Sequence, residues 1–124
     1  MAITTAGLDA ALELLDATVY LEVHDGVPGA DGSTNQVIGT DRPAIAFGAP
    51  ETDGDYRRRR GPSATPIVVE APGAGTYQAW SIWTAASGGT CLWVVPFAEN
   101  RTLSAGDDLR AAVNAVSCRI KPEV

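Results

Sequence analysis

Few side chains in this sequence are equipped for chemistry, and they are scattered. The only histidine, His24, precedes Asp25. Neighbouring residues on a strand point to opposite faces, so the two do not converge for proton transfer. No serine or cysteine nucleophile lies near them in sequence, and the residues predict no catalytic site. His24 reads instead as a strand-end imidazole hydrogen-bonded across the following turn. Asp31-Gly32-Ser33-Thr34-Asn35 sets oxygens at alternate positions, as a calcium loop does, but the later bidentate carboxylate is missing and Glu51 is far off in sequence. Asx-type turns account for the same residues. Cys91, Cys118 and His24 make three candidate ligands where tetrahedral zinc needs four. The two cysteines read as buried free thiols, and the expectation is no metal and no cofactor.

Two further features stand out as contact chemistry. Arg57, Arg58, Arg59 and Arg60 supply four of the nine basic residues. Such a run can release counterions from a nucleic acid. Here Glu51, Asp53 and Asp55 precede it, and only Tyr56 could stack a base. Forked hydrogen bonds to an acidic patch on a neighbouring subunit suit it better, with a solvated loop as the plain alternative. Trp80 and Trp83 fall on opposite faces of an alternating strand, so at most one is expected inside. The other is covered by the helix, a second sheet or a partner, or stays exposed as a contact site. Subunit contact or core use is favoured over stacking of a sugar ring.

Composition narrows the class. At 124 residues the chain is expected to form a single domain, 1–124, with enough buried surface for a core that needs no staples. A net charge of −6 does not draw nucleic acid or anionic lipid to the whole surface. No stretch approaches the run of about 20 apolar residues that spans a bilayer, so no membrane partner is expected. The opening residues lack a basic region and carry Asp9 and Glu13, which argues against a secretion signal and for assembly in a cytoplasm.

These residues must be positioned by a small set of elements. Leu8, Ala11, Leu12 and Leu15 form one stripe of a helix over about 5–16, with Thr5 as its cap and Asp9 near its positive end. From Thr18 the period becomes two. Val19, Leu21 and Val23 alternate with Tyr20, Glu22 and His24, a strand with one buried face. After turn material around Asp25-Gly26 and Pro28-Gly29, strands are expected near Val37-Ile38, Arg42 to Phe47, and Ile67 to Glu70. Residues 48–64 are poor in apolar side chains and read as a long exposed loop with the arginines at its tip. Tyr77 to Ala85 and Cys91 to Phe97, joined by Ala86-Ser87-Gly88-Gly89, make the strongest hairpin signal. Pro96 limits its pairing, and Thr102-Leu103 reads as a further strand. From Leu109 to Ile120 the alternation slips near Ala115, as a bulge or a turn through Asn114 would produce; a helix over Asp107 to Val116 is the other reading. One helix and seven or eight short strands give a mainly β chain, a β-sandwich or jelly-roll-like domain with one N-terminal α-helix.

Several of these stretches, in this order, resemble a family of small tailed-bacteriophage virion proteins of the tail-fibre-like or minor tail type. Thr4 to Leu12 is similar to its opening helix. Leu21-Glu22-Val23-His24 through Pro28-Gly29, and Gly32-Ser33-Thr34-Asn35-Gln36-Val37, resemble its strand and its Gly-x-Asn-Glu-Val element. Arg42 to Phe47 is a looser likeness to a tyrosine-alanine-arginine strand. Ala79 to Thr90 resembles its Trp-Gly-Leu-Trp segment with a Gly-Gly turn, and Leu103 to Leu109 its Ala-Gly-Asp-x-Leu turn. The arginine run departs from that pattern. The resemblance implies a non-enzymatic structural component of the virion that meets other virion proteins, tail or capsid subunits, as a homo-oligomer. A capsid decoration protein and a glycan-binding receptor module are the alternatives. The residues expected at partner contacts are Arg57, Arg58, Arg59, Arg60, Trp80 and Trp83.

Overall fold

A computed structural model describes residues 4–38 and 40–121. It opens with helix α1, Thr5–Leu12, which tightens into a 3-10 turn over Glu13–Leu15. Thr4, not Thr5, is the cap: Thr4 is extended, and its hydroxyl accepts from the Gly7 amide at 3.1 Å while Thr5 is already helical. Leu8, Leu12 and Leu15 are buried, so the stripe read from the sequence docks as expected.

Among the described residues nine strands follow, and the fold is mainly β, with antiparallel sheets packed as a sandwich. Strands β1 (Val19–His24), β2 (Ala44–Ile45), β6 (Gly75–Trp83) and β7 (Cys91–Leu103) form one sheet in the order β2-β1-β6-β7. Strands β3 (Glu51–Asp53), β4 (Tyr56–Gly61) and β9 (Val116–Ile120) form a second, in the order β3-β4-β9. Strands β5 (Ile67–Glu70) and β8 (Asp108–Ala111) pair as a third. The core gathers one phase from each: Leu21, Val23, Trp80 and Ile82 from the first sheet, Val116 and Cys118 from the second, Leu109 and Ala111 from the third, and Leu12 and Leu15 from the helical segment. Trp80 meets Phe97 with ring centroids 5.0 Å apart and planes tilted by 55°, an arrangement that suits the aromatic quadrupoles.

The hairpin signal is realised as β6 and β7, but the second strand is longer than expected. It continues past Pro96 and absorbs Thr102-Leu103, which form no separate strand. Ala79 faces Pro96 and Tyr77 faces Arg101. The proline therefore interrupts the ladder with a bulge and does not end it. The phase slip near Ala115 is a turn, not a helix: Asn114 sits at φ 63°, and the Ala115 amide donates to the Ala112 carbonyl at 3.0 Å.

The expected long loop over 48–64 is a correction. It contains β3 and β4, and the arginines are strand residues instead of a loop tip. Hydrophobic alternation fails to announce this strand because both its phases are filled by charged side chains whose partners lie on neighbouring elements.

Candidate interaction site

Along β4 the arginines alternate. Arg57 and Arg59 point toward α1, and Arg58 and Arg60 toward the other face. Arg57 grips Asp9 of the helix with two prongs, Nε to Oδ1 at 2.6 Å and Nη2 to Oδ2 at 3.0 Å, and also reaches Thr52 at 3.0 Å. The hydrogen bond from Arg57 holds the Asp9 carboxyl below the usual carboxylate range and raises Arg57 in turn. Arg59 is buried. It donates to the Leu12 carbonyl at the end of α1, to Asp16, and to the Phe47 and Gly48 carbonyls. One guanidinium therefore ties the helix C-terminus, with its unsatisfied carbonyls, to two other segments. On the opposite face Arg58 pairs with Glu51 at 3.0 Å and Asp53 at 2.9 Å, and Arg60 also pairs with Glu51. Arg60 and then Arg58 hold Glu51 below its ordinary value. All four arginines expected to dock a neighbouring subunit thus have carboxylate partners within the chain. The acidic residues that precede the run in sequence are, in part, those partners.

The tryptophans are also taken up internally. Trp80 and Trp83 are each only 6% exposed, where the sequence allowed just one inside. Trp80 belongs to the core. Trp83, on the outer face of the sheet, is covered by the chain's own excursion between β1 and β2. Arg42 stacks over its ring at 4.1 Å. Gly32 (φ 71°) lies so close that a Cβ there would meet Cys91 Sγ at 2.6 Å and Trp83 at 3.4 Å. Both indoles are thus largely covered by the chain itself.

That excursion rests on a polar layer that the sequence reading missed. Glu22 and His24 occupy the outward phase of β1, yet both are fully buried. Glu22 pairs with Arg42 at 3.3 Å and accepts from the Ile38 amide at 2.9 Å. Arg42 further donates to the Ala85 and Gly88 carbonyls and to Gln36. His24 Nδ1 lies 2.9 Å from the Thr34 carbonyl. A carbonyl only accepts, so Nδ1 carries the hydrogen and the bare Nε2 accepts from the Ser81 hydroxyl at 2.7 Å. Ser81 Oγ in turn accepts from the Trp83 indole at 2.7 Å. The imidazole is thus the cross-turn hydrogen-bonding group expected. Burial lowers its pKa, outweighing the Thr34 carbonyl and the charges of Glu22 and Asp25. A signal was available in the register: Tyr20, Glu22 and His24 face Trp83, Ser81 and Ala79 of β6, and a polar phase opposite a tryptophan needs a cover.

Asp31 forms the turn read from the sequence, accepting from the Ser33 amide at 3.1 Å and its hydroxyl at 2.7 Å. Cys91 and Cys118 are free thiols, and burial pushes Cys118 up to about 12. Among the described residues no three of His, Cys, Asp and Glu converge as a metal site, and no described helix is long and apolar enough to cross a membrane.

No curated protein matches this chain. The family model described as Podophage GP4 fiber I protein gp80 matches residues 11–119, which takes in every strand of the fold but the last residue of β9. With that span covered, the chain belongs to the podophage GP4 fiber I protein gp80 family of bacteriophage fibre proteins.

Proposed function

We propose that this protein is a passive, non-enzymatic building unit of a tailed-phage tail, a minor tail or fibre-associated subunit that assembles in the host cytoplasm and joins other virion proteins through surface contacts. Membership of a phage fibre family makes the chain a virion component with a structural, tail-fibre-like role. What supports the finer reading is the fate of its polar side chains. The imidazole, the arginine run and Trp83 all have partners within the fold, so the groups with the chemistry to act on or hold a small substrate instead stiffen the subunit. No nucleic-acid partner is included, because the basic run that suggested one is neutralised on β4. The glycan-binding alternative loses its motivating feature with both indoles covered.

Location tests this reading. Protein carrying a small gold-labelled tag, seen in electron micrographs of intact particles, is expected on the tail. Label confined to the head shell would overturn the assignment in favour of capsid decoration.

A further inference from the structure

Strand β7 ends the four-stranded sheet, and among the described residues no strand pairs with its second edge. Its 13 residues make it the longest strand. An edge of that length is a template for another chain unless something blocks it. Pro96, with no amide hydrogen to offer, interrupts the first half, and beyond it β7 also parts from β6: β6 steps from Tyr77 to Ala79 where the antiparallel β7 steps back from Arg101 to Pro96, so Phe97 to Asn100 have no register partner on β6. Beyond Pro96, Ala98 to Thr102 are exposed.

The side chains there carry a pattern. Phe97-Ala98-Glu99-Asn100-Arg101-Thr102-Leu103 reads apolar, small, acid, amide, base, small, apolar. Reversed about Asn100, the charges exchange sign and the apolar ends exchange places. Among the described residues neither Glu99 nor Arg101 has an ion-pair partner, in contrast to Arg42 and the four arginines of β4.

The geometry points to an isologous contact in which β7 of one copy pairs antiparallel with β7 of a second copy, centred on Asn100. This rests on the reading of the protein as one that works through protein–protein contacts, and it names the surface. In that register Glu99 lies opposite Arg101 of the second copy, Arg101 opposite its Glu99, and Phe97 and Leu103 opposite each other at both ends. A twofold axis makes every pair occur twice, and opposite charges directly across an antiparallel pair stabilise it. The neighbouring registers that keep the same faces together centre on Glu99 or on Arg101. Each sets like charges against one another, so the charge pattern selects one register of the three.

Sedimentation of the purified full-length chain over a concentration series tests this. Wild-type protein is expected to show a reversible monomer–dimer equilibrium. Glu99→Arg and Arg101→Glu should each weaken it about tenfold or more, since two attractions become two repulsions. Mixing the two variants in equal amounts should restore association, as should combining both changes in one chain, because opposite charges then meet again. The rescue also shows that the single variants fold. A wild-type chain that stays monomeric at every concentration, or single variants that associate as well as wild type, overturns the inference. Neither result bears on the tail label seen on particles, so failure of this contact and failure of the tail assignment are read separately.

Discussion

Arg42 and the arginines of β4 meet carboxylates in very different surroundings. The Arg42 and Glu22 side chains are 2% and 0% exposed and lie 20 residues apart in sequence. Arg58 and its partner Glu51 are 23% and 37% exposed and only seven residues apart. The outward half of the conspicuous cluster, Arg58 and Arg60, is thus local, partly solvated and redundant, with Glu51 shared by both. The inconspicuous pair is remote, dry and singular. A buried pair adds little net stability over an apolar replacement, yet losing one member strands the other without water. Density of charge in the sequence is therefore a poor guide to where a charge matters most. Arg59 stands between the two, buried itself but paired with an Asp16 side chain that is 63% exposed.

The comparison can be broken most sharply at Arg42. Arg42→Met leaves the Glu22 carboxylate buried and the Ala85 and Gly88 carbonyls short of a donor. A loss of about 3–5 kcal/mol is expected in urea unfolding. Adding Glu22→Gln to that variant should recover part of the loss, because a neutral side chain there no longer needs the guanidinium's charge. A loss below about 1 kcal/mol, the size typical of an exposed pair, would put the two networks on one footing.

A smaller effect separates the networks by pH. The folded His24 has a pKa below its ordinary 6.5 because it is buried, so the unfolded chain takes up the proton first. Stability is complete above that ordinary value and declines as pH falls through the folded one. Asp9 and Glu51, held low by the β4 arginines, lose their contribution only below about 3.8 and 4.5, their ordinary values. Unfolding midpoints should therefore begin to fall between pH 6.5 and 4.5 in wild type and stay flat there in His24→Gln. An identical slope in both would remove the imidazole from the account.

The sequence made the elements with a one-sided apolar phase legible: α1, β1, β5 and the β6–β7 hairpin. Leu8, Leu12 and Leu15, or Val19, Leu21 and Val23, need only their own spacing to declare a face. The turn at Asn114 was also legible, since a one-residue slip has few other causes. Strand β4 was not. Its burial depends on Asp9 of α1, on Asp16 just past the 3-10 turn and on Glu51 and Asp53 from β3, and those partners are set by tertiary placement. The outward phase of β1 was misread for the same reason: Glu22 and His24 look solvated until residues such as Thr34, Ile38 and Arg42 fold back over them. The tryptophans were half legible. Alternation put Trp80 and Trp83 on opposite faces correctly, but only the folded excursion shows that both faces are closed.

The central claim is that the arginine run works inward, as part of the subunit, while contact with other virion proteins is made elsewhere. The most direct measurement is particle incorporation of the double variant Arg58→Ser/Arg60→Ser, whose side chains are the outward pair of β4. The account expects the smallest stability effect of the set and incorporation at the wild-type level. A variant with a wild-type unfolding midpoint that is missing from purified particles would contradict it and return the run to a docking role.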